Sequence, residues 1–134
     1  MKALADTTPA RFVEDFFSSL TGSTVRGDDP ESVMELHYTA DIVQVSDGIR
    51  LDHGRILAHL RPVGRNVTGW RFDVQEAVAD GCRIAARFTV HARTRKGGDT
   101  ATEVHLFAEF TDDGRMRRSH QLTRILPTEA PDPA

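Results

Sequence analysis

The sequence predicts an α+β domain, on three observations. Apolar residues recur at helical spacing only in the first half, around Phe12, Phe16 and Leu20. Hairpin turn signals (Asp80-Gly81, Lys96-Gly97-Gly98-Asp99 and Asp112-Asp113-Gly114) divide the second half into strand-length pieces. Strands and helices do not alternate after Trp70, so a doubly wound parallel sheet is excluded. At 134 residues the chain suits one domain, here residues 1–126. The proline-rich stretch 127–134 is expected to be a disordered tail.

Thr8-Pro9 starts the first helix, with threonine as N-cap and proline at the first helical position. Phe12, Phe16 and Leu20 lie at i, i+4 and i+8, Val13 and Phe17 widen the stripe, and Gly22 is the expected stop. Asp29-Pro30 starts a short helix carrying Val33, Met34 and Leu36. Residues 41–47 alternate as a strand, with Val43, Val45 and Asp47 on one face and Ile42, Gln44 and Ser46 on the other. Residues 54–60 read as a third helix stopped by Pro62, and 63–69 as a loop. Four strands follow near 70–79, 83–95, 101–110 and 115–126.

Opposite-charge pairing sets the expected registers. A four-residue last turn places Ala108, Leu106 and Val104 opposite Arg117, Ser119 and Gln121. In the preceding hairpin, Arg93 opposite Glu103 and Arg87 opposite Glu109 satisfy two ion pairs at once. A three-residue first turn through Cys82 keeps Trp70 and Phe72 on the apolar face. That face, with Phe88, Leu106, Ser119 and Gln121, is expected to pack on the helices. The outer face then carries arginines, acids, Phe107 and a row formed by His91, His105 and His120.

Composition excludes several function classes. The net charge of -3 argues against nucleic acid as the main partner. Residues 50–124 hold fourteen basic side chains, but nine acids are interleaved with them, as on a solvated strand face. No apolar run approaches the ~20 residues of a membrane span, and the N-terminal residues lack a signal-peptide core. The single cysteine, Cys82, allows neither an internal disulfide nor a cysteine zinc site. These features are those expected of a cytoplasmic protein. No phosphate-cradling glycine loop precedes a helix, and no serine nucleophile elbow is present.

A phenylalanine-rich first helix, then Leu36-His37-Tyr38, then the strand Ala40 to Asp47 follow in a recognisable order. With His53-Gly54-Arg55 before the third helix and a meander closing on Asp113-Gly114-Arg115-Met116, the chain resembles the nuclear transport factor two-like superfamily. Its nearest branch is similar to the SnoaL-like group of polyketide cyclases and ketosteroid isomerases. The resemblance covers about residues 10–126 and implies a curved sheet wrapping the helices into a cone with one apolar pocket. It also implies a homodimer through the outer sheet face. Such a fold hosts isomerases, cyclases, dehydratases, epoxide hydrolases and non-enzymes.

Carried over residue by residue, Asp47 matches the position of the isomerases' general base. An acid at the rim of an apolar cavity gains a raised pKa; the alternative is that Ser46-Asp47-Gly48 is simply a turn. Leu106 stands where those isomerases keep an oxyanion-binding acid, and Phe16 and Phe17 where they supply a tyrosine, so steroid isomerase chemistry in its usual form is not expected. Gln121 and Ser119 project inward, either to hydrogen-bond a substrate oxygen or as a satisfied buried amide and hydroxyl. Tyr38 is a candidate donor or a helix anchor, and His53 a catalyst near the pocket mouth or a surface group. Phe16, Trp70, Phe72, Phe88, Leu106 and Ser119 are expected to line the pocket. Neither cofactor nor metal is expected; the three outer histidines suit a pH-sensing dimer surface better than an ion. The implied function is cofactor-independent acid–base cyclisation or isomerisation, or epoxide or dehydration chemistry, on a hydrophobic carbonyl-bearing metabolite, with Asp47 as base. The alternative is a non-catalytic homodimer that binds a hydrophobic ligand.

Overall fold

The computed structural model describes residues 1–127. The tail expected at 127–134 therefore lies, apart from Pro127, outside the described residues. The order is α1 (Pro9–Arg26), α2 (Pro30–His37), β1 (Tyr38–Ser46), β2 (Ile49–Asp52), α3 (His53–Asn66), β3 (Val67–Asp80), β4 (Arg83–Thr94), β5 (Asp99–Phe110) and β6 (Met116–Ile125). A short 3-10 turn, Lys2–Leu4, precedes α1. The strands form one curved, open sheet in the order β2-β1-β6-β5-β4-β3. Every neighbouring pair is antiparallel except β1 with β6. This is the α+β cone expected from the sequence.

Thr8 caps α1 by accepting from Arg11 N. The helix does not stop at Gly22. A lone glycine in a helix costs only ~1 kcal/mol relative to alanine, and a Cβ added at Gly22 would come within van der Waals contact of the Trp70 ring. The stop is Gly27, at φ 81°, where Gly27 N donates to Thr24 O and Asp28 N to Ser23 O. Likewise α3 runs through Pro62 to Asn66. Pro62 and Ala58, four residues before it, both lie on the exposed side, where water can reach the carbonyl that proline leaves unbonded. Strand β2 escapes the sequence reading because it is only four residues long.

Phenylalanines hold the helices to the sheet. Phe12 and Phe16 meet Phe110 edge-on at 5.0 and 5.4 Å, and Phe17 packs on Phe88 at 5.0 Å and Phe72 at 5.8 Å. Each such pair adds ~0.5–1.5 kcal/mol to the area it buries. The inner sheet face contributes Ile84, Ala86, Phe88, Val104, Leu106 and Ala108, as expected.

The registers of the β3–β6 meander shift, but by even numbers, so its face assignments survive. Ala108, Leu106 and Val104 stand opposite Ser119, Gln121 and Thr123, because the last turn spans Thr111 to Arg115 and an irregularity follows Glu109. In the preceding hairpin Arg93 faces Asp99 and Arg87 faces His105. Exposed ion pairs contribute too little, ~0.2–1 kcal/mol each, to outweigh leaving ladder hydrogen bonds unmade. Arg93 finds an acid anyway, Asp99 at 3.2 Å, and Arg87 finds Glu76 on β3 at 3.3 Å. Between β3 and β4 the turn is two residues, and an irregularity between Val74 and Glu76 supplies the step assigned to a longer loop. Phe72 and Val74 consequently pair with Val90 and Phe88.

These registers break up the histidine row. His91 faces Ala101, His105 faces Leu122 and His120 faces Phe107. His91 instead meets Asp73 at 3.0 Å and His105 meets Glu103 at 3.1 Å.

Candidate functional site

The parallel pairing of β1 with β6 brings four polar side chains together on the inner face. Gln44 stands opposite Ser119, and Ser46 opposite Gln121. Gln121 Nε2 donates to Ser46 Oγ at 2.9 Å. Ser119 is 2 % exposed, and its hydroxyl has no hydrogen-bond partner among the described residues. Leu106 and Ala108 of β5 flank the ladder, and Leu51 and Leu57 pack against the same core. Exposure rises steadily along β6, from buried Ser119 through half-buried Gln121 to exposed Thr123. The ladder thus leads from the core to a rim.

Asp47 sits at that rim, and its expected setting is corrected. Val43 and Val45 line the outer face with His120 and Phe107, while Ile42 of the alternate face is in the core. Asp47 itself occupies the tight β1–β2 turn at φ 50°, followed by Gly48 at φ 82°. Its carboxylate accepts from Thr123 N at 2.8 Å and from Thr123 Oγ1 at 2.5 Å. The hydrogen bond from the Thr123 hydroxyl, and then that from its backbone N–H, outweigh the opposing desolvation and hold its pKa below the ordinary aspartate value. The group ties β6 to the turn and is a poor proton acceptor.

The remaining candidates fall into separate places. Tyr38 pairs with Met116 at the far end of β1 and packs on Phe16 at 6.1 Å; burial drives its hydroxyl pKa upward. It is a core anchor, and Gln121 lies five residues further along β6. His53 is the half-buried first residue of α3, directly after Asp52, which pairs with Val43 and caps the helix. Phe16, Phe72, Phe88 and Leu106 are buried among one another and fill the interior instead of lining an open pocket. Trp70, 37 % exposed, lies at an edge strand against Gly22. The structure therefore gathers Gln121 and Ser119, places Asp47 at the rim and His53 at the end of the neighbouring strand β2, and leaves Tyr38 and Trp70 apart.

Sequence reasoning missed Gln44 and Ser46, whose signal was their phase with buried Ile42. It also left His37 without a role. That ring is buried, with Nδ1 2.8 Å from Val33 O and Nε2 3.0 Å from Ser19 Oγ, bridging α2 to α1. An apolar concavity of about 820 Å³ lies on the outer face, bordered by Val43, Val45, Val78, Ala85 and Phe107. Among the described residues no three His, Cys, Asp or Glu side chains are grouped to hold a metal ion, and no helix is long and apolar enough to cross a membrane.

Comparison with known proteins matches this architecture. Among curated proteins no sequence matches the chain. A protein from Shewanella denitrificans OS-217, provisionally described as a SnoaL-like polyketide cyclase, superposes with a TM-score of 0.63 at 15 % identity, over 82 % of this chain and 88 % of that one. IdmH from Streptomyces antibioticus, provisionally a polyketide cyclase, gives 0.60 at 15 % identity over 81 % and 89 %. A provisional isomerase from Rhodopseudomonas palustris gives 0.67 at 13 % identity over 84 % and 88 %. At these identities the likeness establishes the fold alone. The family model of the SnoaL-like domain, however, matches residues 12–119 of the sequence itself, and the chain belongs to that family.

Proposed function

We propose that the inner β1–β6 ladder is the site of a SnoaL-like, cofactor-independent enzyme acting on a hydrophobic, carbonyl-bearing metabolite. The observation that carries this reading is the unpartnered Ser119 hydroxyl, buried beside the Gln121–Ser46 pair on an otherwise apolar face. Burying a hydroxyl without a partner costs ~1–3 kcal/mol, a cost a ligand oxygen would remove. Ser119 and Gln121 would hydrogen-bond the carbonyl and stabilise the negative charge that grows on its oxygen during enolisation. The set is neutral, so it polarises but does not take a proton. With Asp47 held outside and its pKa lowered, the base passes to His53, one strand from Gln44 at the start of α3.

Two measurements test this. Ser119→Ala should leave the melting temperature unchanged or raise it, while weakening binding of a bicyclic aromatic ketone about tenfold. Loss of stability with unchanged ketone affinity would mark Ser119 as structural only. Solvent deuterium exchange at the ketone α-carbon should fall ~100-fold or more in His53→Gln and persist in Asp47→Asn. The reverse pattern would restore Asp47 as base.

A second reading, a non-catalytic homodimer through the outer sheet face, draws on the arrangement of charge there. Asp80, Arg83, Glu109 and Arg118 are successive cross-strand neighbours with alternating signs. A two-fold axis along the strands between β4 and β5 would set each cation opposite an anion and Phe107 over Ala85 of the mate.

A further inference from the structure

The outer concavity is crossed by one apolar row. Val78, Ala85, Phe107, His120 and Val45 are successive neighbours on β3, β4, β5, β6 and β1, and the row ends at Arg50 on β2. Phe107 is 68 % and Val78 67 % exposed, far more than side chains on a solvated strand face require. The flanking rows balance their own charge: Asp80, Arg83, Glu109 and Arg118 alternate on one side, and Arg87 pairs with Glu76 on the other. Arg83 and Arg118 form no ion pair either, but each stands opposite an acid in the ladder. Arg50 borders the concavity opposite Val45, and its guanidinium forms no ion pair or hydrogen bond among the described residues. His120, its neighbour but one in the row, is likewise without a partner among them.

We propose that this trough binds an elongated apolar carboxylate. The head would lie between Arg50 and His120, and the body would cross Phe107, Ala85 and Val78. Strands are spaced ~4.8 Å, so the path from β1 to β3 is roughly 19 Å, long enough for a fatty acid of about twelve carbons. The apolar floor excludes water from the chain, walls of balanced charge leave it unrepelled, and the one bordering arginine with no acid opposite it fixes which end the anion takes. This site lies on the opposite face of the sheet from the Ser119 ladder, so neither needs the other. A second copy would compete for the same surface, because the dimer face includes Phe107.

Titration calorimetry with laurate, kept below its micellar concentration, tests the assignment. Laurate should bind saturably at one site per chain, and Arg50→Gln should weaken it at least about tenfold. Methyl laurate should bind the native protein as weakly as laurate binds the variant. Phe107→Ser should abolish binding of both, with the fold checked by its melting curve. Any dimer seen by light scattering should dissociate as laurate saturates. Equal affinity for acid and ester, indifference to Arg50→Gln, or a dimer that laurate neither enters nor disrupts would each overturn the proposal.

Discussion

Asp47 shows how one side chain can stand at an expected place and do a different job. A carboxylate at the end of an inward strand is a base only if burial penalises its charge. Here the turn carries it past the rim, and Thr123 supplies two donors to the ionised form. Its folded pKa is therefore below the unfolded one, so its stabilising effect is complete above the unfolded value and lost as pH falls through the folded value. Asp47→Asn keeps the left-handed turn, which asparagine tolerates, and removes only the charge. The variant should melt below the native protein at pH 7, and the gap should close below about pH 4. Melting curves at the two pH values measure it; a gap that widens in acid would contradict the hydrogen bonds to Thr123. Ser119 is the complementary case, a neutral group whose unmet hydrogen bond made it more informative than any charge.

Helix ends and turns divide what the elements disclosed from what they withheld. Thr8 and Asp29 marked two helix starts correctly, because a cap acts through bonds three residues away. Thr8→Ala should accordingly cost about 1 kcal/mol in denaturant unfolding. Gly22 and Pro62 misled, because where a helix stops depends on what covers it. Gly64 makes the point in α3: a Cβ added there would sit 2.6 Å from Thr24 O of α1. Gly64→Ala must push the helices apart and should destabilise by about 1–3 kcal/mol, read as a lowered unfolding midpoint at unchanged slope. The strand faces were legible from alternation alone. The registers were not, since ion pairs on a wet face carry little energy, and turn geometry decided instead. Which face of β1 looks inward depended on its pairing with β6, a contact between residues 75 apart that no local pattern encodes.

At the scale of the molecule, the sheet has two unlike faces and a different reading belongs to each. The inner face is filled by phenylalanines and aliphatic side chains with the β1–β6 ladder set among them; the outer face is a trough bordered by Arg50 at one end. If the outer face is a dimer contact in solution, light scattering at tens of micromolar should return twice the 14.9 kDa chain mass. Phe107→Glu, which sets like charges near the proposed axis, should return it to one. A monomer mass for the native protein at that concentration would remove the homodimer reading and leave the trough to a small ligand.

The β1–β6 ladder also fixes an order of events. Strands β3 to β6 can zip as consecutive hairpins, each closing a short loop, but β1 can enter the sheet only beside β6. During synthesis, β1 and β2 must therefore wait, with Ile42 uncovered, until β6 has emerged from the ribosome. The polar pair Ser46–Gln121 would then form among the last contacts, so the candidate site should be the final part of the domain to assemble and the first to loosen in hydrogen exchange.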